Sequence, residues 1–187
     1  INPQGVRVNS FKRPTPVELA QDYLWRIHRV APARGMIGIF NRSHYEDVLV
    51  HKVPKLVSDD VLEQRYRQIN DFERHLTENG TVVLKFFLHI SKDEQKRRLQ
   101  ARLDNPKKRW KFEIGDLAER KQWDRYRDAY QAILDKCACA VALRYVIPAD
   151  NKRYRDWAVS HTIVREFAKI DPKYPKEEAG LDKVVIE

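Results

Sequence analysis

Met36–Val50 reads MIGIFNRSHYEDVLV. It opens as an apolar run of the kind that forms a buried strand. Asn41, Arg42, Ser43, His44, Tyr45, Glu46 and Asp47 then arrive in one polar burst, with an apolar tail behind them. In an open parallel sheet, ligands bind just beyond the carboxyl ends of the strands. A polar burst at that place is a site hypothesis, and the run before it is a strand of an α/β sheet.

Working outward, VRVNSF (Val6 to Phe11) alternates and predicts a short strand. Thr15-Pro16-Val17-Glu18 has the form of a capping box with proline in the first helical turn. It predicts a helix to about Val30, and Pro32 and Gly35 close the turn that follows. Ser58 is the expected cap of a long helix to about Glu78. Leu62, Tyr66, Ile69, Phe72 and Leu76 supply its period and Gly80 its end. TVVLKFFLHI (Thr81 to Ile90) is apolar nearly throughout, which suits a strand covered on both faces. Ser91-Lys92-Asp93-Glu94 is a second capping box and opens a basic helix to about Leu103. DNPKKRWKF (Asp104 to Phe112) reads as a loop, and a helix is expected from about Asp116 to Lys136. RYVIPAD (Arg144 to Asp150) is a last short strand, and Asn151 caps a helix to about Lys169. Strands alternating with helices predict an α/β fold with a largely parallel sheet.

The 187 residues are 42% hydrophobic and 34% charged, enough for one domain with a substantial core. A formal net charge of +9 points to polyanionic partners. Nucleic acid, an anionic membrane surface, nucleotides and inorganic phosphate chains all qualify, and composition does not choose among them. Cys137 and Cys139 are too close in sequence for a structural disulfide or a zinc knuckle. They read as reduced thiols of a cytoplasmic protein. No apolar run has the length of a membrane span and no signal peptide is visible, so no membrane partner is expected. None of the six glycines makes a phosphate-cradling G-x-x-x-x-G-K-[ST] loop.

Three groups of residues have chemistry to offer. In the strand-end burst, Arg42 offers a guanidinium fork for phosphate oxygens. Glu46 and Asp47 offer oxygen ligands to magnesium, directly or through water. Tyr45 offers a ring or a hydroxyl. A local Arg–Glu pair on a solvated loop is the alternative. The second group is the basic helix and loop: Lys96, Arg97, Arg98, Arg102, Lys107, Lys108, Arg109 and Lys111. Arg98 and Arg102 share a helix face. Such cations suit a lid that neutralises a phosphate chain, and a solubilising face or nucleic-acid patch is the alternative. In the third group, Lys12 and Arg13 follow a strand, and Asp22 and Arg26 have the spacing of a helical ion pair. No helix-turn-helix or RNA-binding signature accompanies the charge.

The stretches NPQGVRVNSFKRPTPVELAQDYLWRIHRVAPARGMIGIFNRSHYEDVLV, NDFERHLTENGTVVLKFFLHISKDEQKRRLQARLDNPKKRWKF and YVIPADNKRYRDWAV resemble the second family of polyphosphate kinases. The likeness runs to about Pro175, as one phosphotransferase domain over residues 1–175, a lid over about 92–122, and a tail over 176–187. It is similar above all to the branch that phosphorylates nucleoside mono- and diphosphates. The resemblance implies a P-loop kinase fold like that of thymidylate kinase: a parallel sheet flanked by helices, with a helical lid. It implies phosphoryl transfer between inorganic polyphosphate and an adenine or guanine nucleotide, with Mg2+ or Mn2+. It implies catalytic roles for Arg42, Glu46, Arg98 and Arg102, and a polyphosphate-binding lid with Lys107, Lys108 and Lys111. Lys12, Asp22, Arg26, Asn41 and Tyr45 fall around the nucleotide, and Glu46 and Asp47 around the metal. The family's Walker A loop would lie before Ile1, so the central P-loop strand is expected outside this chain. A dimer or tetramer in the cytoplasm is implied as well. The alternatives are an ATP-dependent nucleoside monophosphate kinase and a non-catalytic fragment that binds polyanions or nucleic acid.

Overall fold

A computed structural model describes residues 2–54, 56–137 and 142–181. Cys139, Ala140 and Val141 lie outside the described residues, as do the last six residues of the expected tail. The chain forms two compact units: Ile1–Lys85 with Lys92–Tyr145, and Phe86–Ser91 with Val146–Glu187.

In the first unit, strands β1 (Val6–Ser10) and β2 (Ile37–Asn41) pair in parallel, in register from Val6 opposite Ile37 to Ser10 opposite Asn41. The Phe11 amide continues the ladder to the Asn41 carbonyl at 3.1 Å, and the Phe11 ring meets Phe40 edge-on. Both strands therefore release their chains at the same edge. The expected helix from Thr15 to Val30 is two short ones, α1 (Pro16–Leu19) and α2 (Trp25–His28). The capping box at Thr15 is present, with Thr15 and Glu18 each bonding the other's amide. The break comes at Asp22, whose carboxylate accepts the Leu24 and Trp25 amides at 2.9 and 3.0 Å and restarts the helix there.

The end of the polar burst and its apolar tail together form helix α3 (Tyr45–Lys52), an element that the sequence reading leaves unassigned. Helix α4 (Asp59–Glu78) starts on the Ser58 cap as expected. It ends in a Schellman motif: Thr81 N–H bonds Leu76 O, Gly80 N–H bonds Thr77 O, and Gly80 takes φ +87°. Helix α5 (Lys92–Asp104) leads into a 3-10 helix, Pro106–Lys111, where a loop is expected. The helix expected from Asp116 divides at Gln122 into α6 (Gly115–Lys121) and α7 (Trp123–Lys136). The core of this unit joins α3 (Val48, Leu49), α4 (Leu62, Tyr66, Ile69) and α7 (Ala129, Ile133), with Val53 and Cys137. Full burial of one such aliphatic side chain contributes about 1.5–3 kcal/mol.

Strand β3 (Leu84–His89) pairs with β4 (Leu143–Pro148). Only part of the apolar run is covered: Leu84–Phe87 are half-buried, while Leu88 and His89 are exposed. In the second unit, Ala149 N–H bonds His89 O at 2.7 Å, and the Ser91 amide bonds the Asp150 carboxylate at 2.8 Å. Asn151 then caps α8 (Lys152–Ile170) through the Tyr154 amide, as its sequence predicts. Among the described residues, no helix is long and apolar enough to cross a membrane.

Candidate functional site

β2 ends at Asn41, and Arg42 follows in a left-handed backbone conformation, φ +63°. Arginine has no local compensation there, and the conformation costs about 1–2 kcal/mol. Such strain persists only where the surroundings over-determine it, and it gathers at functional sites. The turn reverses the chain into α3 and leaves Arg42 and Glu46 side by side. Their side chains lie 3.7 Å apart and are 61% and 36% exposed. Glu46 and Asp47 occupy the first turn of α3, where the positive end of the helix favours carboxylates. The two differ in what they can offer. Asp47 is paired with Arg65 of α4, which also bonds its carbonyl at 3.2 Å. Glu46 keeps a partly open carboxylate. It also faces Tyr130 of α7, whose phenol is pushed up to about 12 by burial and then by the Glu46 charge.

Beneath this turn lies a buried polar network that the sequence reading did not include. Glu73 of α4 is fully buried. Its carboxylate meets His44 Nε2 at 3.1 Å, accepts from Tyr45 Oη at 2.7 Å and binds Lys85 Nζ at 2.5 Å. Lys85 also reaches Tyr45 Oη at 3.0 Å and the Cys137 carbonyl at 3.4 Å. A carboxylate only accepts, so His44 presents Nε2–H to it. Burial alone would raise the Glu73 pKa. The His44 hydrogen bond and the Lys85 ammonium outweigh burial, and the net shift is downward. Tyr45 is held neutral by burial and by Glu73, its pKa pushed well above the ordinary phenol value. The Tyr45 hydroxyl, expected near a nucleotide, is thus engaged inward. Cys137 is buried and unpaired, and burial lifts its thiol to about 11, as suits a core residue.

Of the residues expected around a nucleotide, Lys12 and Arg26 come together: Arg26 donates to the Lys12 carbonyl at 3.0 Å. Arg26 also pairs with Glu18 at 3.4 Å and lies over the Phe11 ring. The expected Asp22–Arg26 pair is replaced by the Asp22 bonds to backbone amides and the Arg26 pair with Glu18. Asn41 is exposed at the strand end.

The basic hairpin is built from α5, the 3-10 turn and α6. Glu94 binds both Arg97, at 2.6 Å, and Arg98, at 2.7 Å. Those two hydrogen bonds take its pKa down to about 2. Arg102 donates to the Lys111 carbonyl at 3.3 Å and lies 3.8 Å from Asp116. Asn105 caps the 3-10 turn through the Lys107 amide, and Arg109 ties it back to the Leu103 carbonyl at 2.7 Å. Lys111 lies over the exposed Trp110 ring, while Lys107 and Lys108 are exposed, with no carboxylate partner among the described residues. The backbone here is tied down while the ammoniums stay available.

Among the described residues, no three His, Cys, Asp or Glu side chains converge as a metal site. Magnesium needs no such cage. It keeps several waters and takes one or two carboxylates along with substrate phosphates. A single half-open Glu46 fits that requirement, and Asp47, engaged by Arg65, fits it less well.

The unit thus joins a parallel strand pair, an Arg–Glu pair at a strand end and a cation-rich helical hairpin, an arrangement whose exposed cations have the chemistry to receive phosphate oxygens. The comparisons make this specific. The sequence profile described as Polyphosphate kinase 2 (PPK2) matches residues 1–175, and the chain belongs to that family. It is 55% identical over 187 residues to an AMP/ADP-polyphosphate phosphotransferase of Meiothermus ruber, covering all of this chain and 70% of that protein. It is 42% identical over 199 residues to an ADP-polyphosphate phosphotransferase of Rhodopseudomonas palustris, of which it covers 69%. The crystal structure of polyphosphate kinase 2 from Arthrobacter aurescens TC1 superposes with a TM-score of 0.95 at 47% identity. That match covers 97% of this chain and 64% of the solved one, so the chain spans just under two thirds of that structure.

Proposed function

We propose that this chain is the phosphotransferase part of an enzyme that moves a phosphoryl group between inorganic polyphosphate and a nucleoside mono- or diphosphate. The observation that carries the reading is the exposed Arg42–Glu46 pair, presented by a strained turn at the end of a parallel strand. Family membership and the names of the relatives support it. The finer fold we propose is that of a P-loop kinase of the thymidylate-kinase kind, acting in the cytoplasm as a homo-oligomer.

Phosphoryl transfer asks little covalent chemistry of a protein; it asks for position and charge. In this reading the Arg42 guanidinium binds oxygens of the transferred group and neutralises charge that builds on them. Glu46 orients Arg42 and is the residue that would hold magnesium, directly or through water. Magnesium, when bound, would supply neutralisation of the phosphate charge. Arg98 and Arg102 approach the donor chain from α5, and Lys107, Lys108 and Lys111 grip its further phosphates. Lys12, Asp22, Arg26 and Asn41 line the acceptor.

The test is a donor assay on the full-length protein: polyphosphate or ATP as donor, AMP or ADP as acceptor, with magnesium. Transfer from polyphosphate is expected, with Arg42→Ala slower by about 10³-fold or more. Transfer from ATP alone would replace this reading by that of an ordinary nucleotide kinase. Near-normal turnover of Arg42→Ala would remove Arg42 from the mechanism.

A further inference from the structure

The Arg42 turn is strained, its side chain is exposed, and the Arg42–Glu46 contact is loose at 3.7 Å. Something else must hold the backbone. On the strand side the holders are the register of Asn41 with Ser10 and the Phe11–Asn41 hydrogen bond. On the helix side, His44, which caps α3, and Tyr45, its first residue, both end on one atom, Oε1 of Glu73. The second oxygen of Glu73 is bound by Lys85, which bonds Tyr45 as well. The His44 ring is buried, its Nδ1 has no partner among the described residues, and Glu73 is thus its hydrogen-bonding anchor. Glu73 itself cannot drift, because α4 is fixed in the core by Tyr66 and Ile69, both buried.

We propose that Glu73, braced by Lys85, is a positioning residue: it pins His44 and Tyr45 and so fixes the left-handed turn that aims Arg42. It touches no substrate and acts through the first turn of α3. The inference rests on the reading of Arg42 as the cation at the transferred phosphoryl. The bland alternative is a buried ion pair that serves stability alone, and buried ion pairs are weak stabilisers after desolvation. The two accounts differ in where the damage appears. A positioning role puts it in the turn and in kcat, because a misplacement of about 1 Å can cost about 10²-fold in rate. A stability role spreads it over the core.

The experiment uses the full-length protein and two variants, Glu73→Gln and Tyr45→Phe. Glu73→Gln keeps volume and one acceptor oxygen but loses the grip of Lys85. Tyr45→Phe removes one link and leaves the Glu73–Lys85 pair intact, so it reports even if Glu73→Gln fails to fold. Hydrogen exchange is read without substrate on peptides covering residues 41–47 and on α4 and α7. The expected result is exchange faster by about tenfold or more at 41–47, with α4 and α7 unchanged. For both variants kcat should fall, by up to about 10²-fold for Glu73→Gln, with KM for polyphosphate and for ADP within about threefold. Unchanged exchange at 41–47, or loss of protection spread through α4 and α7, overturns the proposal. So does normal kcat in a variant whose turn has loosened. A rise in KM for ADP alone in Tyr45→Phe would instead make that hydroxyl a nucleotide contact and overturn its part. If the unmodified protein transfers no phosphoryl group, the functional reading fails, and the exchange measurement still decides whether Glu73 holds the turn.

Discussion

At Arg42 the backbone conformation and the guanidinium make separable contributions. Glycine accepts φ near +63° without a Cβ clash, while alanine keeps the clash. Arg42→Gly is therefore expected to hold or raise the unfolding free energy, by up to about 1 kcal/mol relative to Arg42→Ala, while both lose turnover. Urea titration of the two variants checks the first half and the donor assay the second. Glu73 gives a stability signature in pH. Its pKa is lowered on folding: burial opposes the shift, and His44 and Lys85 overcome it. A carboxylate with a depressed folded pKa binds more protons when unfolded, so stability rises with pH through that window. The contribution is complete above the unfolded value of about 4.3 and is lost as pH falls through the lower folded value. Unfolding free energy measured from pH 5 downward is expected to fall less steeply in Glu73→Gln.

At the scale of elements, legibility followed the strength of local signals. Thr15, Ser58, Asn151 and Gly80 announced their helix ends because caps and left-handed turns are made by side chains a few residues away. The strand end at Asn41–Arg42 was legible because a polar burst after an apolar run has few other meanings. The breaks at Asp22 and Gln122 were not: each interrupts an otherwise helical pattern, and a carboxylate that recaps the backbone looks like any surface acid. Helix α3 was hidden because its first turn is all polar. The Glu73 network had a signal that went unused. Leu62, Tyr66, Ile69 and Glu73 share the buried stripe of α4, and Lys85 interrupts an apolar strand. A lone acid on an apolar stripe and a lone base in an apolar strand are each improbable; together they predict a buried pair. The hairpin carries its own prediction. Replacing Lys107, Lys108 and Lys111 by alanine should raise KM for polyphosphate by about tenfold or more and flatten its salt dependence. The fold should survive, since those ammoniums brace no carboxylate among the described residues. Steady-state kinetics across a salt series would measure it. An unchanged KM would leave the hairpin as a solvated face.

For the whole molecule, a net charge of +9 draws any polyanion, so charge by itself cannot choose a partner. Choice has to come from how the cations are already engaged. Glu94 is the telling residue. It holds Arg97 and Arg98 together, and those two guanidiniums in turn hold its carboxyl in the anionic form, well below the usual carboxylate range. An incoming phosphate that takes Arg98 must therefore compete with a resident rival that never leaves the helix. A lone phosphate exchanges one anionic partner for another and gains little. A chain that also reaches Lys107, Lys108 and Lys111 gains several contacts at once, each raising the local concentration for the next. On the role proposed for the hairpin, the built-in competitor would act as a length filter, muting the response to the abundant short anions around the protein and leaving the response to a polymer.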